Sequence, residues 1–223
     1  MEFIKTADSR RGVADLSARL TKELKAGKKV LWLIGGGSNI AASVEVMAAL
    51  PEIETKHLTV FLTDERYGDV GHMHSNSHQL IEAGFQTKDA IFVSMLQPGF
   101  TMEETQERYA QALERAVEHA DIVIAQSGIG SDGHIAGILP HSEAVNASGW
   151  IIGYEAPNYM RMTMTFNALR NIDAAYYMAF GDDKATALTQ LRDETLSLDD
   201  QPSQILKELP EAYVYNDQIG DTK

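Results

Sequence analysis

The sequence contains no cysteine among its 223 residues. This absence excludes a disulfide framework, thiolate metal ligands and a thiol nucleophile. Positive charge is also in short supply, because 19 lysines and arginines face 32 aspartates and glutamates and leave a net charge of −13. So strong a negative charge disfavours nonspecific binding to nucleic acid or to an anionic membrane. An anion must therefore be bound in a locally basic or dipolar pocket.

Long hydrophobic runs are missing as well, since no stretch approaches about 18 uninterrupted apolar residues. The first residues, MEFIK, lack the charged-then-apolar order of a signal peptide. We therefore expect a soluble, cytoplasmic protein. A chain of this length buries roughly 70% of its surface on folding, which is enough for a large core. We expect a single domain over residues 1–223, in a monomer or a small homo-oligomer.

Helical and strand patterns alternate along the chain. Apolar residues at helical spacing predict a helix between Asp8 and Gly27, and the apolar run at 30–34 predicts a strand buried on both faces. Further helices are predicted at about 40–50, 101–119, 182–191 and 203–209, and further strands at 58–62, 90–93, 121–125, 150–154, 162–166, 174–180 and 212–215. This alternation predicts an α/β fold with a mostly parallel sheet.

Three unusual loops follow predicted strands, and ligands of open α/β sheets bind beyond the carboxyl ends of the strands. The first loop is GGGSN at residues 35–39, between a strand and a helix. Its glycines allow the backbone to approach a ligand closely, and the helix that follows presents free N–H groups. The loop therefore suits a phosphate, although an ordinary glycine turn capped by Ser38 or Asn39 also explains it.

The second loop is TDERY at residues 63–67, directly after the second predicted strand. Clustered opposite charges beyond a buried strand cost free energy unless they are paired or used. Arg66 can stabilise an oxyanion or clamp a substrate while Asp64 holds it in place, or the two can form a purely structural ion pair. His72 and His74 follow, but no third ligand has convincing spacing, so we expect no metal site.

The third loop is GIGSDGH at residues 128–134. It formally contains a dinucleotide fingerprint, but Pro140 leaves room for only about two helical turns after Gly133, too few for a dinucleotide fold. Asp132 and His134 lie two residues apart at what we expect to be a loop-to-helix junction. A histidine placed beside a carboxylate in this way can act as a general base. A histidine that only bonds the backbone is the alternative.

Cations are scarce in the second half of the chain, so two of them next to apolar runs stand out. Arg161 immediately precedes the predicted strand at 162–166. Lys184 lies in the first turn of a predicted helix, where it opposes the helix dipole unless an anion sits there. Each of them can also be an ordinary solvated surface cation.

Taken in order, these motifs resemble the 6-phosphogluconolactonase family. The chain has a Gly-Gly-Ser loop, then Asp-Glu-Arg-Tyr followed by Ser-Asn, then Gly-x-Gly-x-Asp-Gly-His, an arginine before a threonine-containing strand, and a Gly-x-x-Lys helix start. The resemblance covers the chain from about Ile4 to Tyr215. It implies a modified Rossmann-like sheet flanked by helices, of the sugar-phosphate isomerase/lactonase type, with a smaller strand-rich C-terminal part.

The resemblance also implies an activity: the hydrolysis of 6-phospho-D-glucono-1,5-lactone to 6-phospho-D-gluconate in the oxidative pentose phosphate pathway, without metal or organic cofactor. His134 would activate water as a general base, and Asp132 would help to orient that site. Arg66, held by Asp64, would steady the developing oxyanion or the substrate. The residues that the resemblance assigns to the phosphorylated sugar lactone are Gly36, Gly37, Ser38, Asn76, Gly133, Arg161 and Lys184.

Two other functions stay open at this point. Glucosamine-6-phosphate deaminase resembles the family in fold and has an Asp-Gly-His, but it pairs that histidine with a glutamate before a proline, where this chain has Leu139. A non-catalytic sugar-phosphate sensor would use the same pocket, although a silent site has no need to keep His134 and Asp132. The chain has no DNA-binding extension and no basic patch, so a sensor would require a separate partner.

Overall fold

A computed structural model describes residues 1–220, and within them seven parallel strands form the main sheet. The strands of the chain are β1 (Glu2–Lys5), β2 (Val30–Ile34), β3 (Leu58–Leu62), β4 (Asp64–Arg66), β5 (Ile91–Val93), β6 (Ile122–Ser127), β7 (Ile151–Glu155), β8 (Met160–Met164), β9 (Ala174–Met178) and β10 (Glu211–Asn216). The α-helices are α1 (Arg10–Lys25), α2 (Ile40–Ala49), α3 (Asn76–Glu82), α4 (Met102–His119), α5 (Phe166–Leu169) and α6 (Ala185–Asp193). Short 3-10 helices cover Gly37–Asn39, Glu52–His57, Glu143–Asn146, Asp182–Lys184 and Pro202–Glu208.

The strand order of the main sheet is β1-β10-β9-β6-β2-β3-β5. From β2 the chain adds β3 and β5 on one side, and it then crosses to β6 and adds β9 and β10 on the other. The order therefore reverses between β2 and β6. In open α/β sheets a reversal of this kind leaves a crevice at the carboxyl ends of the two strands, where ligands bind.

Both faces of the main sheet are buried, as the unbroken apolar run of β2 predicts. Successive side chains of a strand point to opposite faces. Leu31 and Leu33 accordingly join the apolar cluster that contains α4, α6 and part of the smaller sheet. Val30, Trp32 and Ile34 join the cluster that contains α1 and α2. Helices thus cover both faces, and the predicted α/β class with a mostly parallel sheet is confirmed.

A second, antiparallel sheet has the strand order β4-β8-β7 in the described residues. It contains the first two strands predicted after Gly149, β7 and β8, whereas β9 and β10 join the main sheet, and its edge strand β4 comes from the first third of the chain. The sequence predicted a loop at residues 63–67, and this prediction is wrong for Asp64–Arg66, which form β4. Polar residues form the strand because β8 pairs with their backbone and α3 covers their side chains.

None of the helices between residues 1 and 220 is long and apolar enough to cross a membrane.

Candidate active site

A cleft of about 210 Å³ opens where the strand order reverses, at the carboxyl ends of β2 and β6. Nine of the residues predicted for the site line it, namely Gly36, Gly37, Ser38, Asp64, Arg66, Asn76, His134, Arg161 and Lys184. A slightly larger cavity of about 240 Å³ lies at the amino ends of β2 and β3, and none of the predicted residues lines it. Because the chemistry-bearing side chains converge in the smaller cleft, we take that cleft as the candidate active site.

Asp132 and His134 form a dyad on the loop after β6. Oδ1 of Asp132 lies 2.6 Å from Nδ1 of His134, and it also accepts a hydrogen bond of 3.1 Å from the backbone N–H of His134. Partial burial raises the pKa of Asp132, but its hydrogen bonds with His134 and the charge of that residue outweigh burial and lower the pKa to about 2. An ionised Asp132 places the imidazole proton on Nδ1, which leaves Nε2 free to accept a proton.

Gly130 makes room for this dyad. A Cβ atom at that position would lie 2.0 Å from Nδ1 of His134 and 2.5 Å from Oδ1 of Asp132. The backbone of Gly130 closes the turn, donating to the carbonyl of His134 and accepting from the N–H of Gly133. The sequence singled out this glycine as part of a dinucleotide pattern, whereas its structural reason is the space that the dyad occupies.

The predicted helix after Gly133 is absent from the described structure, where residues 128–140 form turns and isolated bridges instead. The loop turns back because Ile135 pairs with both Ile129 and Ile138, and because Ala136 has a positive φ of 51°. Gly133 does not line the cleft. Its φ of 81° shapes the turn, and its α-carbon faces the side chain of Gln201. The predicted loop-to-helix junction is wrong, and Gly133 shapes the turn that carries the dyad rather than lining the cleft.

Arg66 and Arg161 are direct register partners in the antiparallel pair of β4 and β8. Like charges placed opposite one another across two strands repel. Both arginines nevertheless line the cleft, and in both the Nε atom is buried without a hydrogen-bond partner in the described part of the chain. Two repelling guanidinium groups with unused donors form a site suited to an anion.

Arg66 is not held by Asp64, contrary to the expectation from the sequence. Its Nη1 donates instead to the backbone carbonyl of His74 at 2.9 Å. Asp64 is buried, accepts from the hydroxyl of Thr63 at 3.1 Å and lies 3.4 Å from Nδ2 of Asn76. Residues two apart on a strand share a face, but the long arginine side chain extends past the short carboxylate and ends at the loop before α3.

Asn76, the first residue of α3, connects the floor of the cleft to the glycine loop. Its Nδ2 donates to the backbone carbonyl of Asp64 at 2.9 Å, and its Oδ1 is buried without a partner among the described residues. Gly36 must lack a side chain here, because a Cβ atom would lie 2.0 Å from that Oδ1. Gly37 has a φ of 63°, a conformation that favours glycine.

Glu65 is a completely buried carboxylate that the sequence analysis did not assign to the site. Its Oε1 accepts from the backbone N–H groups of Arg66 and Asn76, and its Oε2 accepts from the hydroxyl of Ser75 and from the N–H and hydroxyl of Ser77. It therefore caps the first turn of α3 and fixes that helix to β4. An acidic residue between Asp64 and Arg66 was the only sign of this role in the sequence. The sequence could not show the role itself, because the groups that Glu65 binds lie 10 to 12 residues further along the chain.

Lys184 closes the 3-10 helix Asp182–Lys184 that precedes α6, and it lines the cleft as predicted. Its Nζ lies 3.2 Å from Oδ2 of Asp183, which is largely exposed to solvent. An exposed ion pair of this kind is weak. Lys184 thus adds a third cation to the wall that Arg66 and Arg161 form.

Comparisons with known proteins identify the family and the folds to which the chain is similar. A family model described as glucosamine-6-phosphate isomerases/6-phosphogluconolactonase matches residues 5–217. A 6-phosphogluconolactonase of Pseudomonas aeruginosa is 28% identical over 145 residues, which cover 63% of this chain and 59% of that protein. The fold is similar to that of a 6-phosphogluconolactonase of Shewanella baltica (TM-score 0.82, 18% identity, 97% of each chain) and to that of a monomeric glucosamine-6-phosphate deaminase (TM-score 0.78, 18% identity, 97% of each chain).

The two solved structures establish the fold, because at 18% identity a likeness carries no more than that. The family model spans nearly the whole chain, and the resemblance drawn from the loop motifs is thereby confirmed. The chain belongs to the glucosamine-6-phosphate isomerase/6-phosphogluconolactonase family.

Proposed function

We propose that this protein is a carboxylic ester hydrolase that converts 6-phospho-D-glucono-1,5-lactone to 6-phospho-D-gluconate. The observation that carries the proposal is the pairing, across one cleft, of the Asp132–His134 dyad with the cations Arg66, Arg161 and Lys184. The substrate carries a phosphate at one end and an ester carbonyl at the other. A site for it therefore needs an anion-binding wall and a base, and this cleft has both.

His134 is the general base of the proposed reaction. Nε2 of its ring takes a proton from water while the water oxygen bonds to the lactone carbonyl carbon. Asp132 holds the proton on Nδ1 and stabilises the imidazolium that forms. The ring C–O bond then breaks, and the imidazolium returns the proton to the departing alkoxide. The product is an open chain with one new hydroxyl and one carboxylic acid, which releases its proton to solvent to become the carboxylate, and no covalent intermediate is required.

Arg66 is the group proposed to stabilise the charge that develops on the carbonyl oxygen in the tetrahedral intermediate. A donor that is already positioned in a partly dehydrated cleft is worth more than the same donor in water. Arg66 lines the cleft, which supports this role.

Arg161 is the principal phosphate ligand in this proposal, with Lys184 beside it. The loop of Gly36, Gly37 and Ser38 leads into α2, and the amino end of that helix lies at the same cleft. Helix amino termini attract phosphate through unpaired N–H groups and the helix dipole.

Deaminase chemistry on an amino sugar phosphate is the rival within the family. It requires a carboxylate to relay protons together with the histidine, and Leu139 occupies the position at which the resemblance places a glutamate. Asp64 is the one carboxylate among the described residues lining the cleft. The lactonase reaction needs only the base and the cations. It therefore accounts for the site without a second carboxylate that relays protons.

The test generates 6-phosphogluconolactone in situ and follows its disappearance with purified protein against the spontaneous rate. We expect a large acceleration with the phosphorylated lactone, and no release of ammonia from glucosamine 6-phosphate. If the protein releases ammonia and leaves the lactone untouched, the deaminase assignment replaces ours. Binding of 6-phosphogluconate without any turnover would instead indicate a sensor.

A further inference from the structure

The side chain of Arg66 contacts neighbours that have no role in the sequence motifs or in the proposed reaction. Tyr159, the last residue before β8, lies with its ring below the guanidinium, and the Cζ atom of Arg66 is 5.6 Å from the ring centroid. A guanidinium over the face of a tyrosine within about 6 Å is attracted by the negative face of the ring. Tyr159 does not itself line the cleft.

His74 contacts the same pair of side chains from the loop before α3. Its ring centroid lies 5.1 Å from that of Tyr159, its Nδ1 lies 3.5 Å from the tyrosine hydroxyl oxygen, and its backbone carbonyl accepts from Nη1 of Arg66 at 2.9 Å. Nε2 of His72 lies 2.9 Å from the backbone carbonyl oxygen of Arg66. The loop thus contacts the arginine at both its backbone and its side chain.

Arg66 needs such support for two reasons. Its register partner is Arg161, so the two guanidinium groups repel each other while the cleft is without an anion. Asp64 forms no ion pair with Arg66 in the described residues, so the neighbouring carboxylate does not hold it. A long side chain without a fixed partner samples many rotamers, which would leave the oxyanion donor poorly positioned.

We propose that Tyr159 is a positioning residue that holds the Arg66 guanidinium in the cleft through the face of its ring, together with the backbone carbonyl of His74. The tyrosine hydroxyl is not needed, since its contact with the His74 ring is long at 3.5 Å. The kinetic part of this inference rests on the proposed lactonase function, whereas the positioning itself does not.

A spectroscopic experiment tests the positioning without any assay of activity. The side-chain N–H resonances of Arg66, identified by their loss in Arg66→Lys, are recorded by NMR in the wild type, Tyr159→Phe and Tyr159→Leu. We expect a ring-current displacement that Tyr159→Phe keeps and Tyr159→Leu loses. Resonances that stay in place in Tyr159→Leu would overturn the proposal, whatever reaction the protein catalyses.

A kinetic cycle then measures what the positioning contributes. We expect Tyr159→Leu to lower kcat about tenfold, equivalent to about 1.4 kcal/mol, with KM changed less than about twofold because the oxyanion exists only in the transition state. Tyr159→Phe should restore most of that kcat. In an Arg66→Ala background, Tyr159→Leu should have no further effect, because the ring acts only through the arginine.

The two failures are distinguishable. Wild-type protein without lactonase activity refutes the proposed function, and the NMR comparison still decides the positioning. An active wild type in which the effects of Tyr159→Leu and Arg66→Ala multiply independently refutes the positioning and leaves the proposed function standing.

Discussion

Oδ1 of Asp132 and Nδ1 of His134 lie 2.6 Å apart within one tight turn. The contact fixes which ring nitrogen carries the proton and directs the basic lone pair of Nε2 away from the carboxylate. The dyad occupies the space that a side chain at position 130 would fill, so the turn can hold both groups only because that residue is glycine.

Replacing the carboxylate of Asp132 by an amide should lower kcat about 100-fold, the scale of a general base that has lost its orientation. Asp132→Asn keeps the size of the side chain but loses the charge that stabilises the imidazolium. KM should change little, because Asp132 does not line the cleft. Steady-state kinetics on the phosphorylated lactone provide both values, and an unchanged kcat would contradict the assigned role.

The acid limb of the pH–rate profile should not come from Asp132. Its pKa of about 2 lies below the ordinary value, so the carboxylate is ionised at neutral pH and loses its charge only as the pH falls toward 2. Above about pH 4, Asp132 therefore carries its full negative charge beside His134. Carboxyl-carbon NMR of wild type should detect no titration of Asp132 between about pH 4 and pH 8.

Adding a single methyl group at Gly130 should remove most of the activity. The new Cβ atom would lie 2.0 Å from the His134 ring, so Gly130→Ala must displace the dyad. The backbone of Gly130 has no positive φ, so the variant should still fold, which circular dichroism checks. Gly220→Ala is the matched control, because its Cβ atom would meet nothing closer than 3.7 Å. Equal kcat values for Gly130→Ala and Gly220→Ala would mean that the dyad takes no part in the reaction.

Loss of the Arg161 guanidinium should weaken the use of the phosphorylated lactone selectively. We expect Arg161→Ala to raise KM for 6-phosphogluconolactone at least about tenfold, the scale of a lost charge-assisted hydrogen bond. KM for unphosphorylated gluconolactone should change far less. Arg170→Ala removes an exposed arginine that pairs with Glu208, and it serves as control. An equal rise in KM for both lactones would mean that Arg161 does not bind the phosphate.

Glu65 should matter for stability more than any other carboxylate of the site, because its two oxygens accept five hydrogen bonds in a fully buried position. Glu65→Gln replaces one accepting oxygen by a donor and leaves buried N–H groups unpaired. We expect a loss of about 2 kcal/mol in the free energy of unfolding, measured by urea denaturation. Glu114→Gln, at an exposed helix position, should change it by less than about 0.5 kcal/mol.

Much of the fold was predictable because its strands have strong local patterns. The apolar runs of β2, β3 and β6 identify buried parallel strands, and the spacing of Leu16, Leu20 and Leu24 identifies α1. The capping box of Thr101 and Glu104 places the start of α4. These signals lie within single elements, so no knowledge of distant contacts is needed to interpret them.

The elements that escaped prediction depend on partners far along the chain. β4 is polar and only three residues long, and it is a strand because β8 pairs with it about 100 residues later. β1 is an edge strand held by β10 at the other end of the chain. α3 lacks a clear apolar stripe, and the carboxylate of Glu65 fixes its first turn. Local propensity cannot indicate such contacts.

The structure brings most of the predicted site residues together in one cleft, but it differs from the sequence prediction in the contacts between them. The loop order placed the glycine loop, Arg66 and His134 at one edge of the sheet, as parallel strands require. Arg161 precedes its predicted strand, so only the family resemblance assigned it to the site. Which carboxylate pairs with which cation depends on side-chain length and direction. For that reason the sequence could not show that Arg66 passes Asp64 and ends at the carbonyl of His74.

The most direct test of the account compares lactone hydrolysis by wild type, by His134→Ala and by His134→Ala with added imidazole. We predict that kcat falls at least about 100-fold in the variant, that KM stays nearly constant, and that imidazole restores part of the lost rate because it replaces the missing base in the vacated space. Lactone hydrolysis that is as fast in His134→Ala as in the wild type would contradict the central claim that the Asp132–His134 dyad is the base of this site.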